Sequence, residues 1–205
     1  MEIYLKNCKI CIYDKIIIED ATVSLLNGGF YRVSGPNGSG KTVFLNTILA
    51  LNKHIEGDYR IIYDKKCTSY IPANQFFLDS DSVEETLNTL CFFYNISKRD
   101  LNGPLEKLDM DYSEISQQKI NELSTGMKKK LCVLPLFFEN IEFYVLDEIF
   151  SGLDLKVQNV LKDRLIELNS QLKTIVIVEH NEDIIKDLKN YIMMEEFECK
   201  QKILK

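Results

Sequence analysis

A chain of 205 residues with a hydrophobic fraction of 45% suits one globular domain, or one with a sizeable insertion. At that length a core buries on the order of 70% of the unfolded surface, so no disulfide framework is needed. The net charge of −6 argues against a nucleic-acid partner held by phosphate contacts, Met1–Lys6 lacks the apolar core of a signal peptide, and no apolar run reaches the roughly 18 residues of a spanning helix.

The first 34 residues hold short apolar runs rich in β-branched side chains: Ile3–Leu5, Ile10–Ile12, Ile16–Ile18 and Ala21–Leu25. Turn residues at Tyr13-Asp14-Lys15 and Asn27-Gly28-Gly29 separate them, so this region predicts a small antiparallel sheet. Cys8 and Cys11 form a lone C-x-x-C. On a strand, positions three apart face opposite ways, which is poor geometry for a shared metal. The six scattered cysteines read as free thiols of a reducing compartment.

Phe30–Val33 then predicts a strand that enters Gly35-Pro36-Asn37-Gly38-Ser39-Gly40-Lys41-Thr42, and Val43–Leu49 predicts a helix that leaves it. This is the phosphate-loop pattern in its strand–loop–helix context. Glycines let backbone N–H groups close on a triphosphate. Lys41 reaches the β- and γ-phosphates as a point charge, Thr42 offers a hydroxyl to Mg²⁺, and the helix beginning at Val43 turns its positive end toward the anion.

Two further strands are expected at Asp58–Tyr63 and Cys67–Ile71, the second ended by Pro72. Ser82-Val83-Glu84-Glu85 is a capping box ahead of Val83, Leu87 and Leu90 at helical spacing, and Ser97 caps a short helix interrupted by Gly103-Pro104. Residues 76–138 therefore read as a helical subdomain inserted into a nucleotide-binding core of 1–75 and 139–205. Ile141–Leu146 is an apolar strand ending in Asp147-Glu148. A helix near 156–169, the continuous apolar run Thr174–Val178 and a helix near 181–189 complete an α/β fold with a mostly parallel core sheet. An Asp at such a strand end holds Mg²⁺ near a nucleotide, and the carboxylate after it can activate water.

Leu123-Ser124-Thr125-Gly126-Met127 precedes Asp147-Glu148 by about 20 residues, Ser151-Gly152-Leu153-Asp154 follows directly, and His180 lies just past the next apolar strand. In this order the motifs resemble those of ATP-binding cassette (ABC) ATPases, the nucleotide-binding subunits of ABC transporters, across essentially the whole chain. The resemblance implies that two cassettes pair head to tail with ATP and Mg²⁺ between them. Gly35 to Val43 of one subunit would hold the nucleotide, and Ser124 and Gly126 of the other would complete the γ-phosphate site. It further implies Glu148 as general base, His180 as γ-phosphate sensor, Asp154 as the link between the two sites, and Tyr13, about 22 residues before Gly35, as the ring that stacks on adenine. Thr42 and Asp147 would hold the metal.

Three departures from the family pattern matter. Tyr70-Ile71-Pro72 is followed by Ala73 where the family has Gln, so either Gln75 or Asn74 shifts into that contact with Mg²⁺ and water, or the switch is weakened. Ile149 replaces a Pro. Thr125 and Met127 replace Gly and Gln in the signature. The form Leu-Ser-x-Gly-Met-Lys resembles cassettes of drug, bacteriocin and haem exporters, which implies a separate integral membrane permease as partner and a cytoplasmic place on the inner face of the membrane. The alternative is a soluble cassette ATPase of DNA repair, translation or cluster assembly. The basic run Lys128-Lys129-Lys130 reads as a solvated helix face. Phe76, Phe77, Phe92, Phe93 and Tyr94 are candidates for a permease-facing groove, or for core.

Overall fold

The structure, a computed structural model, describes residues 1–74 and 77–199. Its first elements are β1 (Glu2–Ile12), β2 (Lys15–Leu25), β3 (Phe30–Ser34), α1 (Lys41–Ile48), β4 (Ile55–Ile62) and β5 (Thr68–Ile71). A mostly helical stretch follows: α2 (Val83–Tyr94), α3 (Asn102–Lys107), α4 (Tyr112–Ile115) and α5 (Thr125–Val133). The chain then returns to strand and helix in alternation, through β6 (Phe143–Asp147), α6 (Leu155–Ser170), β7 (Thr174–Val178), α7 (Glu182–Lys189) and β8 (Met194–Glu198).

The described strands form two sheets. The antiparallel one has the order β2-β1-β4, so the strand that completes it arrives only after the phosphate-loop helix. Along β1, Ile3 and Leu5 are buried, and then Cys8 and Ile10. The change from odd to even positions marks a bulge: the pairing register shifts between Leu5 and Cys8, where Asn7 adopts φ 51°. The second sheet has the order β5-β6-β7-β3-β8, and every pair in it is parallel.

Burial on both faces explains why β6 and β7 are continuous apolar runs. Tyr144, Leu146, Ile175 and Ile177 face a core shared with α2, α5 and α6. Phe143, Val145, Val176 and Val178 face a second core with β1 and α1. Tyr144 is the largest wholly buried side chain, and its hydroxyl donates to the Phe138 carbonyl at 3.1 Å, which meets the requirement that a buried polar atom be bonded.

The helical stretch starts as its sequence predicts. Ser82 Oγ accepts from the Glu85 N–H at 3.1 Å while the Glu85 carboxylate accepts from the Ser82 N–H at 2.8 Å. Gly103-Pro104 does not interrupt a helix. Ser97 caps a separate 3-10 turn over Lys98–Leu101, and Gly103 and Pro104 lie in the first turn of α3, where a missing N–H breaks no helical bond.

Candidate nucleotide site

Parallel strands deliver their loops at one edge, and four of the predicted motifs meet there. The phosphate loop leaves β3, Pro72-Ala73 leaves β5, Asp147-Glu148 closes β6, and Glu179-His180 leaves β7. Ligand sites of open α/β sheets lie at this carboxyl edge. Because β6 and β7 are neighbours, the Glu148 N–H donates to the Val178 carbonyl at 2.9 Å and locks the two motif-bearing ends together.

Three loop glycines have positive φ: Gly35 at 136°, Gly38 at 79° and Gly40 at 99°. Gly38 opens on empty space, with no atom within 4 Å of where a Cβ would stand, as a cradle for an incoming group requires. Gly35 is the opposite case: its Cβ would stand 2.6 Å from the Cys199 carbonyl and 2.7 Å from Ser39 Oγ. A Gly35→Ala chain is therefore expected to lose about 3 kcal/mol of stability, read from the urea midpoint. An unchanged midpoint would mean that the loop is free to move away from the last described residue.

Lys41 is 7% exposed. Its ammonium folds back onto the loop and donates to the Gly35 and Pro36 carbonyls, each at 3.0 Å. Thr42 Oγ1 donates to Asp147 Oδ2 at 3.1 Å, so the two residues predicted to hold a metal are already in contact across the sheet. A hydroxyl beside a carboxylate is a hard oxygen set, the kind Mg²⁺ takes from a protein when phosphates and water supply the rest. Burial pushes the Asp147 carboxyl above its usual range. The Thr42 hydrogen bond draws it back, the Glu148 charge adds to the rise, and the Lys41 and Lys129 cations oppose it.

Glu148 adopts φ 49°, a conformation uncommon outside glycine, and its Oε1 lies 3.5 Å from His180 Nε2. A cavity of about 390 Å³ opens beside this pair, lined also by Ser151, Gly152 and Asn181. Glu179, which the sequence reading passed over, holds the histidine's backbone: its Oε1 accepts from the N–H groups of His180 and Asn181 at 2.8 and 2.7 Å. The Glu179 carbonyl in turn accepts from buried Arg32 at 3.0 Å, and Arg32 pairs with Glu182 at 2.6 Å. The available signal was a lone arginine inside the apolar run Phe30–Val33.

The remaining predicted residues are spread over several elements. Ser124 is exposed and serves as N-cap of α5, its Oγ accepting from the Met127 N–H at 3.2 Å. Gly126 lies next to the Gly152 carbonyl. No hydrogen bond or ion pair among the described residues joins Ser124 or Gly126 to the phosphate loop. Asp154 caps α6 through the Val157 N–H at 2.9 Å and lies 3.8 Å from Lys130. Tyr13 occupies the tight β1–β2 turn, 81% exposed and with its ring 6.3 Å from His54. Val43 is half-buried behind Thr42. Asn74 is exposed, while Gln75 and Phe76 lie outside the described residues.

The basic run corrects the expectation of a solvated face. Lys129 and Lys130 are both buried. α5 packs its far side on the core through Leu131, Cys132 and Val133, so the lysines are drawn in with it and find carbonyl partners. Lys129 Nζ donates to the Ala73 carbonyl at 3.0 Å and Lys130 Nζ to the Asp109 carbonyl at 3.5 Å. The aromatic set also divides. Tyr94 is core, with its hydroxyl 3.0 Å from Ser69 Oγ, whereas Phe92 is 88% exposed and Phe93 is also exposed.

A phosphate loop on a parallel sheet, with a Thr–Asp pair and a Glu–His pair at the same edge, defines a phosphate-loop nucleotide hydrolase. Residues 18–151 match the ABC transporter family, and the chain belongs to that family, whose ATP-binding proteins are ATPases coupled to transport. It is 32% identical over 152 residues to the cytochrome c biogenesis ATP-binding export protein CcmA of Reclinomonas americana, covering 69% of this chain and 68% of that one. It is 30% identical over 186 residues to the zinc import ATP-binding protein ZnuC of Wigglesworthia glossinidia brevipalpis, covering 88% and 77%. A solved structure of a putative ABC transporter ATP-binding protein from Pyrococcus furiosus superposes with a TM-score of 0.74 at 25% identity, over 96% of this chain and 97% of that one.

Proposed function

We propose that two cassettes, this chain and a second that is identical or homologous, close head to tail around ATP and drive a separate membrane permease by hydrolysing it. One observation carries this reading. The phosphate loop, the Thr42–Asp147 pair and the Glu148–His180 pair converge on one edge, while no described hydrogen bond or ion pair joins the signature residues Ser124 and Gly126 to that loop in their own chain. A γ-phosphate held by Gly35–Val43 would be enclosed only when another subunit brings its signature helix across.

In that site Lys41 would leave the two loop carbonyls for the phosphates, and Thr42 and Asp147 would hold Mg²⁺, which would supply charge neutralisation at the triphosphate. Glu148 takes the proton of the attacking water. His180, its backbone fixed by Glu179, stands within reach of both Glu148 and the γ-phosphate position. Tyr13 supplies an exposed ring for adenine to stack on, and Asp154 passes the state of one site to the other.

No described helix is long and apolar enough to cross a membrane; in this reading the permease is a separate subunit and the cassette attaches at its cytoplasmic face. The candidate docking place is a groove of about 420 Å³ between the sheets and α2. Its walls include Leu49, Leu51, Tyr63, Tyr70, Leu90 and Phe93, and exposed Phe92 stands on the same helix. Export is inferred from the Leu-Ser-Thr-Gly-Met-Lys form of the signature, since the relatives' names span import and export. The test is purification of an affinity-tagged chain from detergent-solubilised membranes of its own cells. The expected result is a stoichiometric integral membrane protein, lost when Phe92 and Phe93 are both changed to Ser. Recovery of the tagged chain wholly in the soluble fraction, without such a protein, would overturn the reading.

A further inference from the structure

Lys129 is a buried cation that the proposed chemistry leaves unused. It projects from the second turn of signature helix α5, is 8% exposed, and forms no ion pair among the described residues. Its acceptor is a neutral one, the Ala73 carbonyl at 3.0 Å, in the segment that follows β5. A buried ammonium with one neutral partner is unfavourable unless negative charge compensates it. Burial pushes the Lys129 ammonium below its usual range, and the surrounding acidic groups, Cys132 and then Asp147, Glu148 and Glu179, only partly oppose this. Ala73 is also the position where the family pattern has the Gln that links this segment to the metal and water.

We propose that Lys129 is a positioning residue for hydrolysis. Its hydrogen bond to the Ala73 carbonyl ties residues 72–74 to the signature helix. Segment and helix then move as one body, and the link absent from the Ala73 side chain is supplied through the Ala73 carbonyl. The inference rests on the hydrolytic reading of Asp147 and Glu148, but its structural half can be tested without nucleotide.

The test compares Lys129→Met and Lys129→Arg in the full chain. In nucleotide-free protein, amide hydrogen exchange of peptides spanning residues 68–74 and 125–133 should quicken about tenfold in the Met variant, the effect of losing one charge-assisted hydrogen bond, and stay near the wild-type rate in the Arg variant. ATP turnover should show a kcat split from binding: about a tenfold fall for Met with nucleotide affinity within about twofold, and recovery for Arg. Exchange at wild-type rates in the Met variant would overturn the tether. A parallel loss of affinity, or an Arg variant as impaired as Met, would overturn the positioning role. If the wild-type chain fails to hydrolyse ATP, the hydrolytic reading falls, and the exchange rates still decide the tether.

Discussion

Glu148→Gln is expected to bind ATP as the wild type does and to lose turnover by about 10²–10⁴-fold, the usual contribution of a positioned general base. The amide keeps the size and the hydrogen-bonding reach of the carboxylate toward His180, 3.5 Å away, but cannot take a proton from water. The phosphate loop and the Thr42–Asp147 contact are untouched, so binding groups survive. With ATP bound and uncleaved, the closed pair of subunits should persist. Light scattering after size exclusion should give a dimer with Mg²⁺-ATP and a monomer without it. Full hydrolysis by this variant would remove Glu148 from the role of base. Monomer at saturating ATP would count against the shared site.

Lys41→Ala should cost more at the binding step. Lys41 is buried in its own loop and bonded to two carbonyls. It is therefore pre-desolvated, and its interaction with a triphosphate is stronger than that of an exposed lysine. Truncating one partner of such a charge pair costs about 2–5 kcal/mol, so the nucleotide Kd should rise by roughly 30-fold to several thousand-fold. A fluorescence titration would show it, with circular dichroism as the check that the chain is folded. Affinity unchanged in a folded variant would contradict the loop assignment.

Much of the fold is legible because its elements are strongly patterned. Thr174–Val178 has five buried residues in a row, and only a strand covered on both faces accommodates that. β8 left no such mark. Met194–Glu198 is an edge strand with three glutamates in five residues, and its parallel pairing with β3, from Phe30↔Met194 to Ser34↔Glu198, reveals it. The core sheet was readable as mostly parallel, whereas the partner of the first hairpin was not. β4 is mostly exposed and pairs across more than 40 residues of chain, which no local pattern encodes.

The site divides along the same line. The phosphate loop is legible from its own pattern and Asp147-Glu148 from the end of an apolar strand, whereas His180 is singled out by the family resemblance. Arg32, Glu179 and Lys129 act through tertiary contacts with backbone carbonyls and amides, and such partners have no sequence signature. The lysine run shows the limit most clearly. Three consecutive charges on a helix favour a wet face, and the packing of Leu131–Val133 overrides that local preference.

The position of β3 between β7 and β8 sets an order of assembly on the ribosome. The strand that carries the phosphate loop is synthesised early, yet both of its hydrogen-bonded neighbours lie beyond residue 173. Until they emerge, Phe30–Ser34 has no sheet to join, and Gly35 has no Cys199 carbonyl to pack against. Pairings this distant in sequence form late. The nascent chain thus displays its phosphate-binding motif for most of translation without a platform to hold it, and nucleotide capture coincides with completion of the domain.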